Sequence, residues 1–466
     1  MAEGYLDVDT DRAWACDHDH SLHPWTHFES FRAAGSQMVV SAGSGCRIED
    51  SEGRSYLDAV GGLWCTNIGL GREDMAEAIA GQVRKLAYSS TFVDMTNGPA
   101  ALLAAKIAEL APNGIERVMF STGGSTAVDS AFRLAQFYQS CAGRPEKCHV
   151  IARENAYHGS TFASMSLGKR QGDRAPEFRY LTEIVHHVSA PNSYRRPPGV
   201  SEEDFVDWLV REFEDKISEI GADRVGAFFA EPVMGSGGVI VPPDGYMERI
   251  WRTCQMHDIL FVADEVVTAF GRLGHWFACE SEFGVTPDIV CSAKGLSSGY
   301  LPIGATLYSK QIHDVISHGD PERMYTSGFT YSGHPVCCMA ALKNIEILEK
   351  EGILENASRV GSYFEKRLAE LLELPIVGDV RGRKLMMCVE SVMNKETKEL
   401  FPREVNIGKR ITGICEDLGL IVRPLGHLNI MSPPLILTET DVDFIVDALG
   451  EAIRRVSDDL AREGKF

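Results

Sequence analysis

Two positions that follow predicted β-strands carry the main chemical signal in this 466-residue sequence. The apolar run 259–263 is typical of a buried parallel strand, and it places Asp264 and Glu265 at the edge where open α/β sheets bind ligands. A second apolar run, 289–290, leads to Lys294. A buried carboxylate can keep a pyridine nitrogen protonated and a lysine can form a Schiff base, so the pattern predicts pyridoxal phosphate (PLP) chemistry. In isolation, Asp264 next to Glu265 would more often be a helix cap or an ion-pair partner.

A phosphate-binding turn is predicted between a strand at 116–120 and a helix that begins near Ser125. Gly123 and Gly124 precede that serine. Glycines let backbone amides approach a phosphate closely, and a helix start offers unpaired amides at the positive end of its dipole. The alternative is that Ser125 simply caps the helix.

The segment Tyr157-His158-Gly159 follows a predicted strand at 148–153 and should lie at the same sheet edge. An aromatic ring there could stack on a planar cofactor, and a pyridinium ring would strengthen the contact. Tyrosine and histidine are otherwise ordinary residues in a turn.

The elements that must position these residues alternate between strands and helices. Helical spacing of apolar residues is clear at 205–220. The alternation predicts an α/β fold whose core, from about 70 to 330, contains a doubly wound, parallel-rich mixed sheet. Its strands are predicted at 116–120, 148–153, 225–231, 259–264, 288–291 and 303–308.

Both ends of the chain are predicted to form a small α+β domain beside that core. A hairpin is expected at 44–53, one long helical stretch at 335–372, strands near 385–390 and 420–423, and a last helix from about 438. The predicted domain bounds are 1–70 and 336–466 for the two parts of the small domain and 71–335 for the large one.

Composition narrows the classes of partner. The formal charge is −20, with 66 acidic and 46 basic residues, which disfavours a nucleic-acid or anionic-membrane surface. No apolar run approaches the ~20 residues of a membrane span, and the start of the sequence lacks a secretory pattern, so a cytoplasmic location is expected.

No metal site is predicted, because Cys-x-x-Cys is absent. The histidines at 18, 20 and 23 fit a mobile polar arm better than a metal site.

Several further segments occur in the same order. They are Gly62-Leu-Trp-Cys-Thr-Asn-Ile-Gly-Leu-Gly71, Glu231-Pro-Val, Asp264-Glu-Val-Val, Lys294-Gly-Leu-Ser-Ser-Gly-Tyr300, Gly328-Phe-Thr-Tyr-Ser-Gly-His-Pro335 and Leu-Ile-Val-Arg423. With the Gly-Gly-Ser turn and Tyr157-His-Gly159, they make residues 22–456 resemble the class III PLP-dependent aminotransferases, specifically the omega-amino-acid or amine:pyruvate branch. The resemblance implies fold type I.

The resemblance also implies roles for individual residues. Lys294 would carry the cofactor and, once released, move a proton between substrate and cofactor carbons, while Asp264 would pair with the pyridine nitrogen. Arg423 would bind the keto-acid carboxylate. The remaining implied contacts are Val266 and Tyr157 on the two ring faces; Gly123, Gly124, Ser125, His158, Gly159, Glu231 and Phe329 around the cofactor; Thr330 of the partner subunit at the phosphate; and Trp64 with Tyr157 in the substrate pocket.

That shared phosphate contact implies a homodimer, or a tetramer of such dimers. The sequence departs from the common family pattern at Gly123 and Thr126, where serine and glutamate are usual, and at Met234, where a glutamine often stands. A thioether cannot donate the hydrogen bond of that glutamine, so cofactor affinity is expected to differ.

Two serines bear on the acceptor. By the same resemblance, relatives of the 4-aminobutyrate branch, which accept 2-oxoglutarate, carry arginine and glutamate where this chain has Ser160 and Ser236, so pyruvate is the expected acceptor. The sequence does not select one amine donor, and taurine, β-alanine, diamines and aryl amines are all alternatives. The alternatives are a PLP-dependent aminomutase or decarboxylating aminotransferase of the same fold and, from another class, a non-catalytic scaffold.

Overall fold

The structure is a computed structural model that describes residues 9–170 and 172–465. Its helices are α1 Thr10–His20, α2 Phe28–Ala34, α3 Gly61–Trp64, α4 Glu73–Lys85, α5 Gly98–Leu110, α6 Gly124–Cys141, α7 Phe162–Leu167, α8 Glu202–Ile220, α9 Tyr246–Met256, α10 Ala278–Phe283, α11 Lys310–Ser317, α12 Pro335–Lys350, α13 Ile353–Ala369, α14 Ile407–Asp417 and α15 Glu439–Arg462. Its strands are β1 Val40–Ser44, β2 Arg47–Asp50, β3 Ser55–Asp58, β4 Ile115–Ser121, β5 His149–Arg153, β6 Val185–Val188, β7 Val225–Ala230, β8 Leu260–Asp264, β9 Ile289–Ser292, β10 Gly304–Ser309, β11 Val377–Arg383, β12 Met386–Ser391, β13 Leu420–Ile421, β14 Arg423–Leu425 and β15 Leu428–Met431.

Within the described residues, the largest sheet has seven strands in the order β4-β10-β9-β8-β7-β5-β6. The pairs from β9 through to β6 are parallel, whereas β10 is antiparallel to both of its neighbours. The sheet is therefore mixed and parallel-rich, which confirms the predicted fold class and all six predicted core strands to within a residue or two.

This sheet is covered on both faces. Phe228 and Phe261 belong to one buried apolar cluster, while Phe229 and Val262, their neighbours in sequence, belong to another on the opposite face. Helix α6 packs on β9 and β10, and α9 packs on β8. Continuous apolar strands are thus explained by burial from two sides.

The two ends of the chain meet in a smaller sheet of order β1-β2-β3-β13, in which β3 and β13 are parallel. A further sheet, β11-β12-β15-β14, is formed by the carboxyl-terminal part alone. Strands β2 and β3 form the predicted hairpin around 51–53. The predicted domain bounds themselves stay a prediction.

The structure refines two local predictions. The stretch 335–372 is helical as predicted, but it is divided into α12 and α13, because the chain turns at Gly352, whose φ of 60° lies in the left-handed region. The expected mobile arm contains α1, which Asp9 caps through the backbone amide of Arg12. Its His18 stacks on Trp14, with ring centroids 5.1 Å apart.

Candidate active site

Asp264 and His158 form a buried pair at the carboxyl edge of the large sheet. Asp264 is the last residue of β8, and its Oδ2 lies 2.7 Å from Nδ1 of His158. Both side chains are almost fully buried. Oδ1 accepts a hydrogen bond of 3.1 Å from the backbone amide of Val266. These contacts fix the orientation of a carboxylate that the sequence could only place at a strand end.

Lys294 lies just after β9, the strand next to β8, and begins a 3-10 turn, Lys294–Leu296. Its amine makes no hydrogen bond or salt bridge with any residue in 9–170 or 172–465. Burial lowers the pKa of Lys294, and the nearby carboxylates of Asp264 and Glu231 partly offset that effect. The site therefore contains an unengaged lysine whose neutral form is favoured relative to a lysine in water.

Glu231 follows β7 and organises the backbone around the site. Its Oε1 accepts from the amide of Tyr157 at 3.2 Å, and its Oε2 accepts from the amide of Gly235 at 2.7 Å. Burial raises the pKa of Glu231, an effect that His158 opposes and the charge of Asp264 reinforces. The side chain joins the Tyr157 turn to the loop after β7.

The predicted phosphate turn links β4 to α6, and the helix starts at Gly124, one residue before the predicted start. A Cβ at Gly124 would lie 2.8 Å from Val266, so only glycine fits there without displacement. A Cβ at Gly159, whose φ is 134°, would likewise lie only 2.6 Å from the Oγ of Ser125. The Oγ of Ser125 accepts from the amide of Ser160 at 3.0 Å. The turn at 123–125, here called the phosphate cradle, therefore packs directly on the Tyr157 turn.

The resemblance assigns Trp64 and Arg423 to the substrate pocket, and that assignment stays a prediction. The Trp64 ring packs against Gly235, and its buried indole N–H has no partner among the described residues. Arg423 is partly buried at the start of β14, and its guanidinium forms no hydrogen bond or salt bridge within 9–170 and 172–465. Burial lowers the pKa of Arg423, as does the positive charge of Arg170.

Sequence reasoning missed Arg170, whose guanidinium lies over the ring of Tyr157, and Asp173, which pairs with Arg170. The Arg170 guanidinium carbon is 5.9 Å from the centroid of that ring, and Nη2 donates to Oδ1 of Asp173 at 2.5 Å. Trp25 completes the group: its Nε1 donates to Asp173 at 3.2 Å and its ring meets Tyr157 edge-on at 5.8 Å. Closeness in sequence could have indicated the pairing of Arg170 with Asp173, but no local signal places the pair beside Tyr157.

Phe329 and Thr330 are not brought to the other site residues. Thr330 is exposed, and its carbonyl accepts a hydrogen bond of 2.9 Å from the hydroxyl of Tyr88. The amide of Phe329 donates to Ser332 at 3.1 Å. Within a single chain Thr330 therefore lies at the surface, and Phe329 is half-buried.

A cavity of about 770 Å³ adjoins the site, with walls that include Asn155, Arg170, Asp173 and Ser236. Neither Lys294 nor Asp264 lines it, so the cavity lies beside the buried group. Within the described parts of the chain, no three His, Cys, Asp or Glu side chains cluster in a way that could hold a metal ion. In the same residues, no helix has the length and apolar character of a membrane span.

An aspartate and a lysine at the ends of adjacent strands of such a sheet define a fold type I PLP-dependent transferase. The family model of the class-III aminotransferases matches residues 31–453, so the chain belongs to that family.

Named relatives agree with this assignment. A putrescine–pyruvate aminotransferase of Pseudomonas aeruginosa is 39% identical over 442 residues, covering 93% of this chain and 94% of the relative. A diaminobutyrate–2-oxoglutarate transaminase of Halomonas elongata is 36% identical, covering 96% and 97%. The crystal structure of an (S)-enantioselective omega-transaminase from Thermomicrobium roseum superimposes with a TM-score of 0.93 at 37% identity, covering 96% of this chain and 99% of that one.

Class III aminotransferases depend on PLP, and the residues of this chain fit that cofactor. Asp264 is a buried carboxylate, the Lys294 amine is unengaged, and the approach of Gly124 to Val266 leaves no room for a side chain in the cradle. When bound, PLP supplies an electron sink for bond changes at the amine-bearing carbon. The enzyme is therefore a PLP-dependent aminotransferase.

Proposed function

We propose that this enzyme transfers the amino group of a primary amine or an omega-amino acid to pyruvate in a two-stage ping-pong cycle. The observation that carries the acceptor assignment is Arg423, a partly buried guanidinium with no acidic partner in residues 9–170 and 172–465. An unpaired buried cation is costly unless a ligand neutralises it. A monocarboxylate such as pyruvate supplies one matching charge, through a bidentate pair.

In this proposal Lys294 holds PLP and moves the proton at the substrate carbon. The lowered pKa of Lys294 favours the neutral amine, which can accept a proton. Asp264 would keep the pyridine nitrogen protonated, and the 2.7 Å contact with His158 holds its carboxylate in place. Val266 and Tyr157 would hold the ring between them.

The phosphate would be bound by Gly123, Gly124 and Ser125 at the start of α6, where backbone amides and the helix dipole favour an anion. Thr330 of the partner subunit would complete that site, with Phe329 beside it. The exposure of Thr330 supports this assignment, because a residue that serves another protomer should lie on the surface of its own. The active unit is then a homodimer, and His158, Gly159 and Glu231 support the cofactor from within one chain.

The surroundings of Ser160 and Ser236 support pyruvate over 2-oxoglutarate. The Ser160 hydroxyl lies 3.1 Å from the Tyr157 hydroxyl and carries no charge that could meet a second carboxylate. The Ser236 carbonyl accepts from Arg170 at 3.3 Å. A second carboxylate entering without a matching cation would cost several kcal/mol, so 2-oxoglutarate should be poorer by at least ~100-fold in kcat/KM, which corresponds to about 2.7 kcal/mol.

The donor is proposed only as a class. The relative that acts on putrescine and pyruvate supports an amine donor with a pyruvate acceptor, whereas the relative named for diaminobutyrate and 2-oxoglutarate represents the competing acceptor. A cytoplasmic location stays a prediction from the sequence.

The test is a donor screen on the PLP-loaded enzyme, followed by side-by-side kinetics of pyruvate and 2-oxoglutarate with one good amine. We expect alanine to form from pyruvate together with the aldehyde or ketone of the donor. An isomerised amine released without a keto acid being consumed would instead identify an aminomutase. Comparable kcat/KM values for the two keto acids would reject the pyruvate assignment.

A further inference from the structure

Arg170 and Asp173 form an ion pair at the outer side of Tyr157 that none of the roles above uses. Their side chains are only 16% and 15% exposed. Arg170 donates through Nη2 to Asp173 at 2.5 Å and through Nη1 to the Ser236 carbonyl at 3.3 Å. Asp173 is held in turn by the indole N–H of Trp25 at 3.2 Å. Both groups are therefore fixed by several contacts and mostly shielded from solvent.

This pair shares the electrostatic surroundings of Arg423. Burial is the main cause that lowers the pKa of Arg423, and the positive charge of Arg170 lowers it further. The charges of Tyr157 and Asp173 act in the opposite direction. Two guanidinium groups thus flank the Tyr157 region, and a single aspartate balances one of them. Arg423 has no acidic partner in the described chain, whereas Arg170 has Asp173.

Acceptor choice depends on how many cations the pocket can offer. A dicarboxylate such as 2-oxoglutarate needs a second cation for its distal carboxylate, since a desolvated and unpaired charge costs several kcal/mol. Arg170 has the right charge and a planar group suited to bidentate carboxylate binding. It can serve a substrate only if it gives up its buried pair with Asp173.

We propose that Asp173 is a positioning residue that sets acceptor specificity by tethering and neutralising Arg170, which leaves Arg423 as the guanidinium that meets the substrate. The proposal rests on the proposed pyruvate transamination and concerns the same pocket. It explains why a chain with two arginines near one tyrosine should still prefer a monocarboxylate. Releasing Arg170 should convert it into a binding group for a second carboxylate.

The experiment uses the full-length, PLP-loaded enzyme with one amine donor and measures kcat/KM for pyruvate and 2-oxoglutarate. In Asp173→Asn the side-chain shape is kept while the charge that holds Arg170 is removed. We expect the ratio of 2-oxoglutarate to pyruvate kcat/KM to rise at least ~10-fold, a gain of about 1.4 kcal/mol, mainly through a lower KM for 2-oxoglutarate. A second variant, Asp173→Ser, should shift the ratio in the same direction.

The double variant Asp173→Asn with Arg170→Met should lose the gain, because the released cation is then absent. Glu154→Gln is the matched control: it removes the carboxylate of the neighbouring Lys169 ion pair, at 3.0 Å and roughly half exposed, and should leave the ratio unchanged. A merely structural effect would lower activity with both acids and would not move the ratio.

An unchanged ratio in both single variants, or a gain that persists without Arg170, would overturn the proposal. Failure of the proposed function is distinguishable, because it would appear in the wild-type enzyme as equal or better use of 2-oxoglutarate. Failure of the present proposal would appear only in the Asp173 variants.

Discussion

At the scale of single residues, Lys294 combines an unfavourable backbone conformation with an unengaged side chain. Its φ is 40°, in a region that residues other than glycine and asparagine rarely adopt. Such conformations cost of the order of 1–3 kcal/mol and persist where the surrounding structure fixes them, often at active sites. Asn344 provides part of that constraint by donating to the carbonyls of Gly295 at 2.9 Å and Leu296 at 3.0 Å.

Replacing Lys294 with alanine should abolish turnover, because the proposal assigns both the attachment of PLP and the proton transfer to this amine. The cradle at α6 should still bind PLP, but without a covalent bond. After borohydride reduction, mass spectrometry should find the cofactor attached to wild-type protein and not to the variant. Retained turnover, or attachment at another lysine, would show that Lys294 has been assigned the wrong role.

Replacing Arg423 with alanine should affect one half of the cycle more than the other. A charge-assisted pair is worth about 1.5–3 kcal/mol, so pyruvate kcat/KM should fall roughly 10- to 150-fold. The half-reaction with an amine that carries no carboxylate should be much less affected, since that donor has nothing to pair with Arg423. Single-turnover measurements of each half-reaction check this. Equal losses in both would contradict the assignment of Arg423 to the keto-acid half-reaction.

At the scale of elements, the end of β8 separates two adjacent carboxylates into different roles. Asp264 faces the site, whereas the buried Glu265 accepts from the amides of Ala278 and Cys279 at the start of α10, each at 2.8 Å. Successive side chains at a strand end point in opposite directions, which accounts for the separation. Glu265 is thus a helix-capping group.

Asp288, the residue before β9, gives the stability of this sheet a pH dependence. Its Oδ2 accepts from the amide of Phe261 at 2.8 Å, and burial raises its pKa from 3.8 to about 6. Between those values the native state binds the proton more tightly than the unfolded state. The contribution of Asp288 to stability therefore decreases as pH rises from about 4 to about 6, by roughly 2–3 kcal/mol.

Asp288→Asn keeps an acceptor for Phe261 but removes the buried charge. We expect its apparent melting temperature to exceed that of wild type by more at pH 8 than at pH 5, as measured by differential scanning fluorimetry. The control is Asp215→Asn, which neutralises an exposed aspartate of α8. A difference that does not change with pH would mean that Asp288 is not the titrating group.

At the scale of the whole molecule, exposed apolar side chains concentrate around the segment that contains Thr330. Tyr88, Phe92, Val93 and Tyr331 are 44%, 50%, 92% and 58% exposed, and the Tyr88 hydroxyl donates to the Thr330 carbonyl at 2.9 Å. Large exposed apolar patches mark association surfaces in soluble proteins. This supports the proposed homodimer in which Thr330 serves the site of the other protomer.

Complementation tests that arrangement. Lys294→Ala should be inactive, and Thr330→Glu should be severely impaired because it brings a carboxylate to the phosphate. Co-expression of the two should restore about a quarter of wild-type activity, since half of randomly assembled dimers contain one intact shared site. No recovery in purified, differentially tagged heterodimers would mean that Thr330 acts within its own chain, and an active Thr330→Glu variant would mean that Thr330 has no role at the phosphate.

Local patterns in the sequence predicted most of the core strands and several residues of the candidate site. Several core strands could be predicted from continuous apolar runs, because a strand buried on both faces has no polar side, and the runs at 259–263 and 289–290 lead to Asp264 and Lys294. Asp264 and Lys294 could therefore be placed at one sheet edge, and the glycines at 123–124 could be placed at a helix start.

Tertiary structure decided the contacts between residues that are distant in sequence, which no local periodicity can predict. The contact of His158 with Asp264 joins residues 106 apart in sequence, and the position of the Arg170–Asp173 pair beside Tyr157 depends on a loop whose path no pattern predicts. The choice of Asp264 over Glu265 for the site follows from which strand face is turned toward α6. Such contacts arise from packing between distant segments, because the free energy that selects them exists only once those segments are folded together.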